Sequence, residues 1–314
     1  MLLNLPIYLK PNSNILIAAV GGGFDVFNAM ALTHTLSFLG HNWHISSYSV
    51  DATFRAGEFV PVTEFAATDK YNPEGILASW LNRGPGLYNI PQGPTRTIWK
   101  IGKVGPIPLA AAYKKLIAKL NIDVIIMVDG GVDSLMVGNE LRKGTVTEEY
   151  INFSALVDIP IKKYLMSFGF GCEVEEEISH YRVLENMSVL LNESKLCGAC
   201  ALVRDMEDFA NYNCAYNYVE THFPKHKKSH IHPRIIRAIN GEFGYKTLDE
   251  NTIMHTKKPV FLSPLMTIMW WFDGDAVIAK NQLVPMMKNC VMFCDSLALV
   301  NMASKIRDNQ PIPY

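Results

Sequence analysis

The sequence lacks the features that mark several classes of protein. It has no uncharged apolar run of about 18 residues, the length that a membrane-spanning helix needs, and residues 1–10 lack the basic start and cleavage site of a signal peptide. Only 19% of the residues are charged and the formal net charge is -1, so we expect no electrostatic binding of nucleic acid. We therefore expect a cytoplasmic protein, with no membrane partner, that binds small molecules or proteins.

Cysteine and complete catalytic motifs are also scarce. Six irregularly spaced cysteines in 314 residues do not resemble a secreted disulfide framework. The pair Cys197 and Cys200 lies too far from the later histidines for a zinc finger, and we interpret it as buried thiols in a helical region. No complete P-loop, Gly-x-Ser-x-Gly elbow or His-Glu-x-x-His motif is present. The familiar hydrolase and zinc-protease signatures are therefore absent.

What the sequence does contain is buried strands that end in glycine. Residues 14–20 are a continuous apolar run, typical of a strand buried on both faces, and the glycines at 21–23 end it. Asp25 is placed to cap the following helix, which Gly40 ends. A second strand over 43–50 completes a βαβ unit. The apolar residues that precede this unit, 1–10, predict a short edge strand.

The pattern repeats further along the chain. The segment 51–108 is rich in proline and glycine and predicts long connections around a short helix at 74–82. A helix at 109–120 then precedes the strongest strand, 123–129, which runs into Asp-Gly-Gly-Val-Asp-Ser and another predicted helix. A further strand is predicted at 161–168. Beyond it the pattern is largely helical, over 182–208, 233–245 and 275–305.

These elements predict one α/β domain over 1–314. Its fold is an open, mostly parallel Rossmann-like sheet with helices on both faces and a mainly helical C-terminal portion. Residues 1–170 hold the sheet core with both glycine and aspartate loops, and residues 171–314 form the mostly helical portion that packs on the same core.

We expect the working site where the two glycine loops follow their strands. Ligands of open parallel sheets bind at the carboxyl ends of the strands, where helix N-termini present free amides. Glycine lets the backbone approach a ligand, and a helix N-terminus favours an anion such as phosphate. The expected ligand is therefore a phosphorylated small molecule, bound by Gly21, Gly22, Gly23, Gly130, Gly131 and Ser134.

Carboxylates are concentrated in the same loops. We predict that Asp129, Asp133 and Asp25 are catalytic and that Glu140, two turns along the helix predicted after the second loop, binds ligand. Asp129 and Asp133 are the predicted ligands of Mg²⁺ or Mn²⁺, because hard oxygen donors favour these ions over Zn²⁺. In the structural alternative, Asp133 caps the helix and Asp129 ends the strand. In an alternative to the metal, the lysines and arginines of 225–237 neutralise the site, and ligand binding is insensitive to chelators.

The densest positive patch is Lys-His-Lys-Lys-Ser-His at 225–230. A solvated loop before a helix is the simpler interpretation. The alternative is a phosphate clamp that folds over the sheet edge, with Arg234 as an anion ligand and His230 and His232 as the acid or base.

A wider resemblance runs through most of the chain. Its residues are Gly-Gly-Gly-Phe-Asp at 21–25, Val-Asp-Gly-Gly-Val-Asp-Ser-Leu at 128–135 with Glu140 and Gly144-Thr145, Gly-Phe-Gly-Cys-Glu at 169–173, His-Pro-Arg-Ile-Ile-Arg-Ala-Ile-Asn-Gly-Glu-Phe-Gly at 232–244 and Trp-Phe-Asp at 271–273. In this order they resemble the prokaryotic family known as domain of unknown function 1152. The resemblance implies that these segments form one site, to which Thr145 and Glu173 contribute, and it supplies no substrate. The acidic run after Glu173, 175–177, is interpreted as solvated.

Two local resemblances concern the loops alone. Segment 129–134 is similar to the Ser-Gly-Gly-Val-Asp-Ser signature of the ATP-pyrophosphatase (PP-loop) enzymes, which implies an ATP-using enzyme. The paired loops also look like those of lysine-decarboxylase-like nucleotide phosphoribohydrolases. We therefore predict an enzyme that binds a nucleotide-like phosphorylated metabolite and hydrolyses or transfers a group, with a divalent metal. A PP-loop-like enzyme, a non-catalytic nucleotide-sensing module and a homo-oligomer all stay open.

Overall fold

The computed structural model describes residues 1–51, 57–66, 71–83, 95–173, 177–247 and 259–303. The strands are β1 (Asn14–Ala19), β2 (Asn42–Tyr48), β3 (Val60–Val62), β4 (Ile98–Ile101), β5 (Val124–Gly130), β6 (Lys162–Phe168), β7 (Leu196–Ala201), β8 (Gly244–Lys246), β9 (Val260–Leu262) and β10 (Ile268–Asp273). The α-helices are α1 (Thr33–Phe38), α2 (Pro73–Arg83), α3 (Pro106–Leu120), α4 (Thr147–Leu156), α5 (His180–Asn192), α6 (Glu207–His222), α7 (Ile231–Ile239), α8 (Gly274–Lys280), α9 (Val284–Met287) and α10 (Phe293–Met302). Short 3₁₀ helices cover Gly23–Ala31, Asp133–Leu135 and Pro264–Thr267. Within the described ranges, no helix has both the length and the apolarity to cross a bilayer.

Eight strands form one sheet, in the order β3-β4-β2-β1-β5-β6-β10-β7. The five strands from β4 to β6 in this order are parallel to one another. At the two ends of this group, β3 is antiparallel to β4, and β10 is antiparallel to both β6 and β7. The chain winds outward from β1 through β2 on one side and from β5 on the other, as in a Rossmann-like sheet. The predicted open, mostly parallel α/β fold is confirmed. Because the winding reverses between β1 and β5, the loops that follow these two strands are neighbours.

Strand β1 is buried on both faces, as its apolar run predicts. Ile15 and Ile17 belong to one hydrophobic core, together with side chains of α1, α2, α6 and α7. Leu16 and Ala18 point the other way, into a second core with side chains of α3, α4, α5 and α8. Successive side chains of a strand alternate between faces, so one short segment contributes to both cores. The sheet is therefore the middle layer of three.

The N-terminal residues are not the edge strand that the sequence predicts. Pro6 has no amide hydrogen to donate to a neighbouring strand. The amide of Leu3 donates to Oγ1 of Thr35, at 3.0 Å, and so contacts helix α1. This segment packs on one core as irregular chain.

The C-terminal portion contributes more strand than its pattern predicts. β7 and β10 join the large sheet, and β8 pairs with β9 in a small one. The segment around Cys197 and Cys200 is thus a strand, and the prediction of a helical context is wrong. Its small residues have little intrinsic preference, so pairing with β10 decides its conformation. β3 and β4, in the proline-rich segment, likewise have no counterpart in the sequence prediction.

Candidate functional site

A cavity of about 130 Å³ lies where the loops after β1 and β5 meet, at the carboxyl ends of parallel strands. Many residues that the sequence suggests line it: Gly21, Gly22, Gly23, Asp25, Asp129, Gly130, Asp133, Thr145, Glu173 and His230. The rest of the wall was not suggested by the sequence: Phe24, Val50, Tyr71, Glu149, Ser229 and Ile231. The predicted residues Gly131, Ser134, Glu140, His232 and Arg234 lie outside this lining.

The first glycine loop turns the chain sharply from β1 into the 3₁₀ helix. Gly22 and Gly23 have φ of 82° and 57°, in the left-handed region that favours glycine. Asp25 is not the helix cap that we predicted, because the helix begins at Gly23 and its N-cap residue makes no side-chain bond. The Asp25 carboxylate instead lies over Gly21, where an added Cβ would be 2.1 Å from Oδ2. Because residue 21 is glycine, no side chain fills the space that this carboxylate faces.

Three carboxylates converge above the first loop. Asp25, Asp129 and Glu149 each offer an oxygen, and these oxygens all lie within 4.8 Å of one another. Asp129 and Glu149 are 1% and 3% exposed. Burial, followed by the charges of Asp133 and Asp129, raises the pKa of Glu149 well above its ordinary value. Among the described residues, this is the group of potential ligands close enough to share a metal ion.

Helix α4 holds Glu149 in this group. Asn152, three residues after Glu149, donates Nδ2 to the carbonyl oxygen of Val20 at 2.8 Å. Its Oδ1 accepts from the hydroxyl of Tyr113, also at 2.8 Å. These two bonds fix α4 against the end of β1, and residues three apart share a side of a helix. Glu149 therefore faces the first loop.

Glu149 is a site residue that the sequence pattern does not predict. The signal available was Thr-Glu-Glu at the start of a helix close to Gly144-Thr145. Which of Glu148 and Glu149 faces the sheet depends on the rotation of α4, which its tertiary contacts set.

Asp133 binds the neighbouring chain segment. Its Oδ2 accepts from the backbone amide of Thr145 at 3.2 Å, and it is 2% exposed. The helix predicted after the second loop is only the 3₁₀ turn Asp133–Leu135. Asp133 thus lies in the cavity wall without belonging to the three-carboxylate group.

Glu140 supports the second loop from behind. Because the predicted helix is absent, its expected position two turns along that helix is wrong. The side chain is fully buried and accepts from the amides of Val137 (2.9 Å) and Gly138 (2.8 Å) and from Nδ2 of Asn186 (2.9 Å). Burial opposes ionisation, yet these hydrogen bonds outweigh it and lower the pKa of Glu140. Its role is to shape the loop.

The Glu173 carboxylate lies against the second glycine loop, where the sequence predicts the phosphate of a ligand. Its Oε2 accepts from the amide of Val132 at 2.5 Å. A Cβ on Gly131 would lie 2.0 Å from Cδ of Glu173, so only glycine leaves room for this carboxylate. Ser134 is fully buried. The amide of Val132 therefore binds an internal carboxylate, which differs from a loop whose amides bind the phosphates of ATP.

Of the three predicted basic site residues, His230 lines the cavity, whereas His232 and Arg234 do not. His232 is 1% exposed and joins Tyr212 to Phe24, and burial lowers its pKa to about 4. Arg234, also buried, donates to the carbonyl oxygen of Cys172. Lys228 pairs with Glu220 on α6. Lys225 and Lys227 are exposed. Within the described part of the chain, the cavity lining includes no lysine or arginine, and His230 is its one titratable residue from the segment 225–237.

Fold and site together define a Rossmann-like protein with an acidic cavity at the point where the sheet reverses its winding. The model of the family described as protein of unknown function (DUF1152) matches residues 102–305, more than half of the chain, and the chain belongs to this family. The matched range holds the second loop, Glu149 and Glu173 and begins after the first loop. No curated protein and no solved structure matches the chain significantly.

Proposed function

We propose that this protein is an enzyme that binds a nucleotide or similar phosphorylated metabolite in the cavity and hydrolyses or transfers a group. One observation carries the proposal: the first glycine loop and five carboxylates converge at the carboxyl ends of β1 and β5. The carboxylates are Asp25, Asp129, Asp133, Glu149 and Glu173. Structural carboxylates are seldom gathered in one cavity, because each raises the cost of ionising the others.

The cavity is too small to enclose a whole nucleotide. Its volume of about 130 Å³ is below the roughly 300–1,000 Å³ typical of ligand pockets. We infer that it takes the reacting phosphoryl end, while the rest of the ligand lies toward solvent. The backbone of Gly22 and Gly23, at the start of the 3₁₀ helix, would contact the phosphate. Asp133 would orient the attacking water, and His230 in the wall would be the acid or base.

A phosphate enters this cavity only together with a cation. Two like charges at about 4 Å repel by roughly 4 kcal/mol at an effective dielectric constant of 20, and five carboxylates line the space that the phosphate would enter. Mg²⁺ or Mn²⁺ is therefore part of the proposal, since all five donors are hard oxygens.

The proposed function also includes a cytoplasmic location, which the six free thiols support.

A metabolite screen tests the enzyme against the alternative of a nucleotide-sensing module. The full chain is incubated with Mg²⁺ and pools of phosphorylated metabolites, which are then followed by mass spectrometry. Depletion of one metabolite with appearance of its product supports the enzyme, and retention without conversion supports the sensor. Asp133→Asn should abolish turnover while the free energy of unfolding stays within about 1–2 kcal/mol of the parent. If Asp133→Asn converts the metabolite at the parental rate, the role given to Asp133 is wrong.

A further inference from the structure

We propose that Asp25, Asp129 and Glu149, with the carboxamide of Asn28, form a binding site for a single Mg²⁺ or Mn²⁺ ion. This set replaces the pair Asp129 and Asp133 that the sequence predicts. The role of the ion in catalysis rests on the proposed function, whereas its binding does not.

The three carboxylates have the spacing that one ion requires. Their oxygens lie within 4.8 Å of one another, and a cation with ligands at about 2.0–2.6 Å spans oxygens about 4–5 Å apart. The position of a Cβ on Gly21 would be 2.1 Å from Asp25 Oδ2, 2.4 Å from Glu149 Oε1 and 3.3 Å from Asp129 Oδ1. Because residue 21 is glycine, the space between the three groups is not filled by a side chain.

Asn28 is an independent indication that a polar ligand belongs here. It follows Asp25 by three residues on the 3₁₀ helix, and side chains three apart on such a helix lie on the same side. The position of a Cβ on Gly130 would be 2.7 Å from Asp25 Oδ1 and 2.8 Å from Asn28 Nδ2, so the carboxylate and the amide both border the space over Gly130.

The amide of Asn28 is also unsatisfied. The residue is fully buried, and neither Nδ2 nor Oδ1 has a hydrogen-bond partner among the described residues. A buried amide without a partner is rare and costly. Rotation about the last side-chain bond exchanges its oxygen and nitrogen. The oxygen can thus face an ion or a water bound to it, and either contact would satisfy it.

The identity of the ion follows from the donors. Carboxylate and amide oxygens suit Mg²⁺ and Mn²⁺, and the set contains neither histidine nor cysteine. Asp133 is left out of the set because it is not among the carboxylates whose oxygens all lie within 4.8 Å of one another. A divalent ion also offsets the repulsion among the carboxylates that are gathered in the cavity wall.

Melting temperatures of the full chain test the site. After treatment with EDTA and dialysis, Mg²⁺ or Mn²⁺ should raise Tm saturably, because an ion that binds only the folded state stabilises it by mass action. Mn²⁺ titration followed by electron paramagnetic resonance should give one bound ion per chain. Glu149→Gln and Asp129→Asn should lose the response to either ion, because each removes one of the three carboxylate ligands. Asn28→Ala should weaken the apparent affinity about tenfold or more.

Asp208→Asn is the matched control. Asp208 is another fully buried carboxylate, on α6, but it accepts from Thr35 and from the amide of His34. Its variant should lower Tm and keep the full response to Mg²⁺. An unchanged Tm of the parent with both ions, or a full response in Glu149→Gln, would overturn the site. Turnover of a metabolite in EDTA without a cation response would overturn this site and the cation requirement of the proposed function, and would leave standing an enzyme that acts in this cavity without a metal ion. A cation response without any turnover would support this binding site and contradict the proposed enzymatic function.

Discussion

Nε2 of His232 lies 2.8 Å from the carbonyl oxygen of Phe24, and this buried hydrogen bond joins the start of α7 to the first glycine loop. Nδ1 of the same ring lies 2.5 Å from the hydroxyl oxygen of Tyr212. A neutral imidazole satisfies both contacts, because its Nε2–H donates to Phe24 while Nδ1 accepts from Tyr212. Protonation would turn Nδ1 from an acceptor into a donor. The buried ring would then also carry a positive charge.

His232 should therefore make stability depend on pH. Burial lowers its pKa in the folded protein from 6.5 to about 4. The stabilisation is complete above pH 6.5 and is lost as the pH falls from there toward 4, because only the unfolded chain binds the proton in that range. The full effect is roughly 3 kcal/mol. Urea unfolding at several pH values should show a shallower dependence for His232→Gln than for the parent, and identical slopes would contradict this account.

Gly21→Ala should block the cation site sterically. The new methyl group would lie 2.1 Å from Asp25 Oδ2 and 2.4 Å from Glu149 Oε1. We expect the Tm response to Mg²⁺ to disappear and the free energy of unfolding to fall by about 1–3 kcal/mol, the usual cost of overpacking. Gly57→Ala is the control, since a Cβ there meets nothing within 4 Å. A Gly21→Ala protein that binds Mg²⁺ like the parent would contradict the position of the site.

Glu140→Gln should destabilise the protein without affecting the ion. The carboxylate accepts two backbone amides of the second loop, and a glutamine amide group would place a donor against one of them. We expect a loss of about 1–3 kcal/mol in chemical denaturation, with the Mg²⁺ response preserved. Because the folded pKa of Glu140 is lowered, its contribution is present above its ordinary pKa and lost as the pH falls through the lowered one. Glu193→Gln, at an exposed position, should change stability by less than about 0.5 kcal/mol.

His230→Gln should separate chemistry from ion binding. The side chain is 8% exposed and lines the cavity without belonging to the three-carboxylate group. Under the proposed function, we expect kcat to fall by a factor of 10² to 10⁴, the usual contribution of a general acid or base, and Mg²⁺ to raise Tm as in the parent. Steady-state kinetics on the metabolite found in the screen would measure this. A parental kcat would leave His230 as part of the wall alone.

Local patterns predicted the centre of the fold because its signals are local. The apolar runs of β1 and β5 and the glycines that end them identify buried parallel strands, and the general position of ligands in such sheets brings their loops together. β7 could not be predicted in the same way. Its segment of cysteine, glycine and alanine has no period, and it is a strand because β10 pairs with it.

The same distinction between local and tertiary signals applies to the site residues. Asp25, Asp129 and Asp133 stand next to strand ends in the sequence and lie in the cavity wall. Glu149 and Asn28 stand inside helical segments, so their direction depends on helix rotation and on the 3₁₀ geometry, neither of which the pattern encodes. His232 and Arg234 belong to a segment that contacts the site, but burial turns them into links between elements.

The position of β10 bears on the order in which the chain can fold. β10 is the last strand along the described chain, yet it lies inside the sheet, between β6 and β7. During synthesis, β7 therefore leaves the ribosome long before the strand that connects it to the sheet. A nascent chain that ends before Ile268 exposes the edge of β6, and exposed edges invite association with other chains. Truncation in this region should produce aggregation rather than a smaller folded protein.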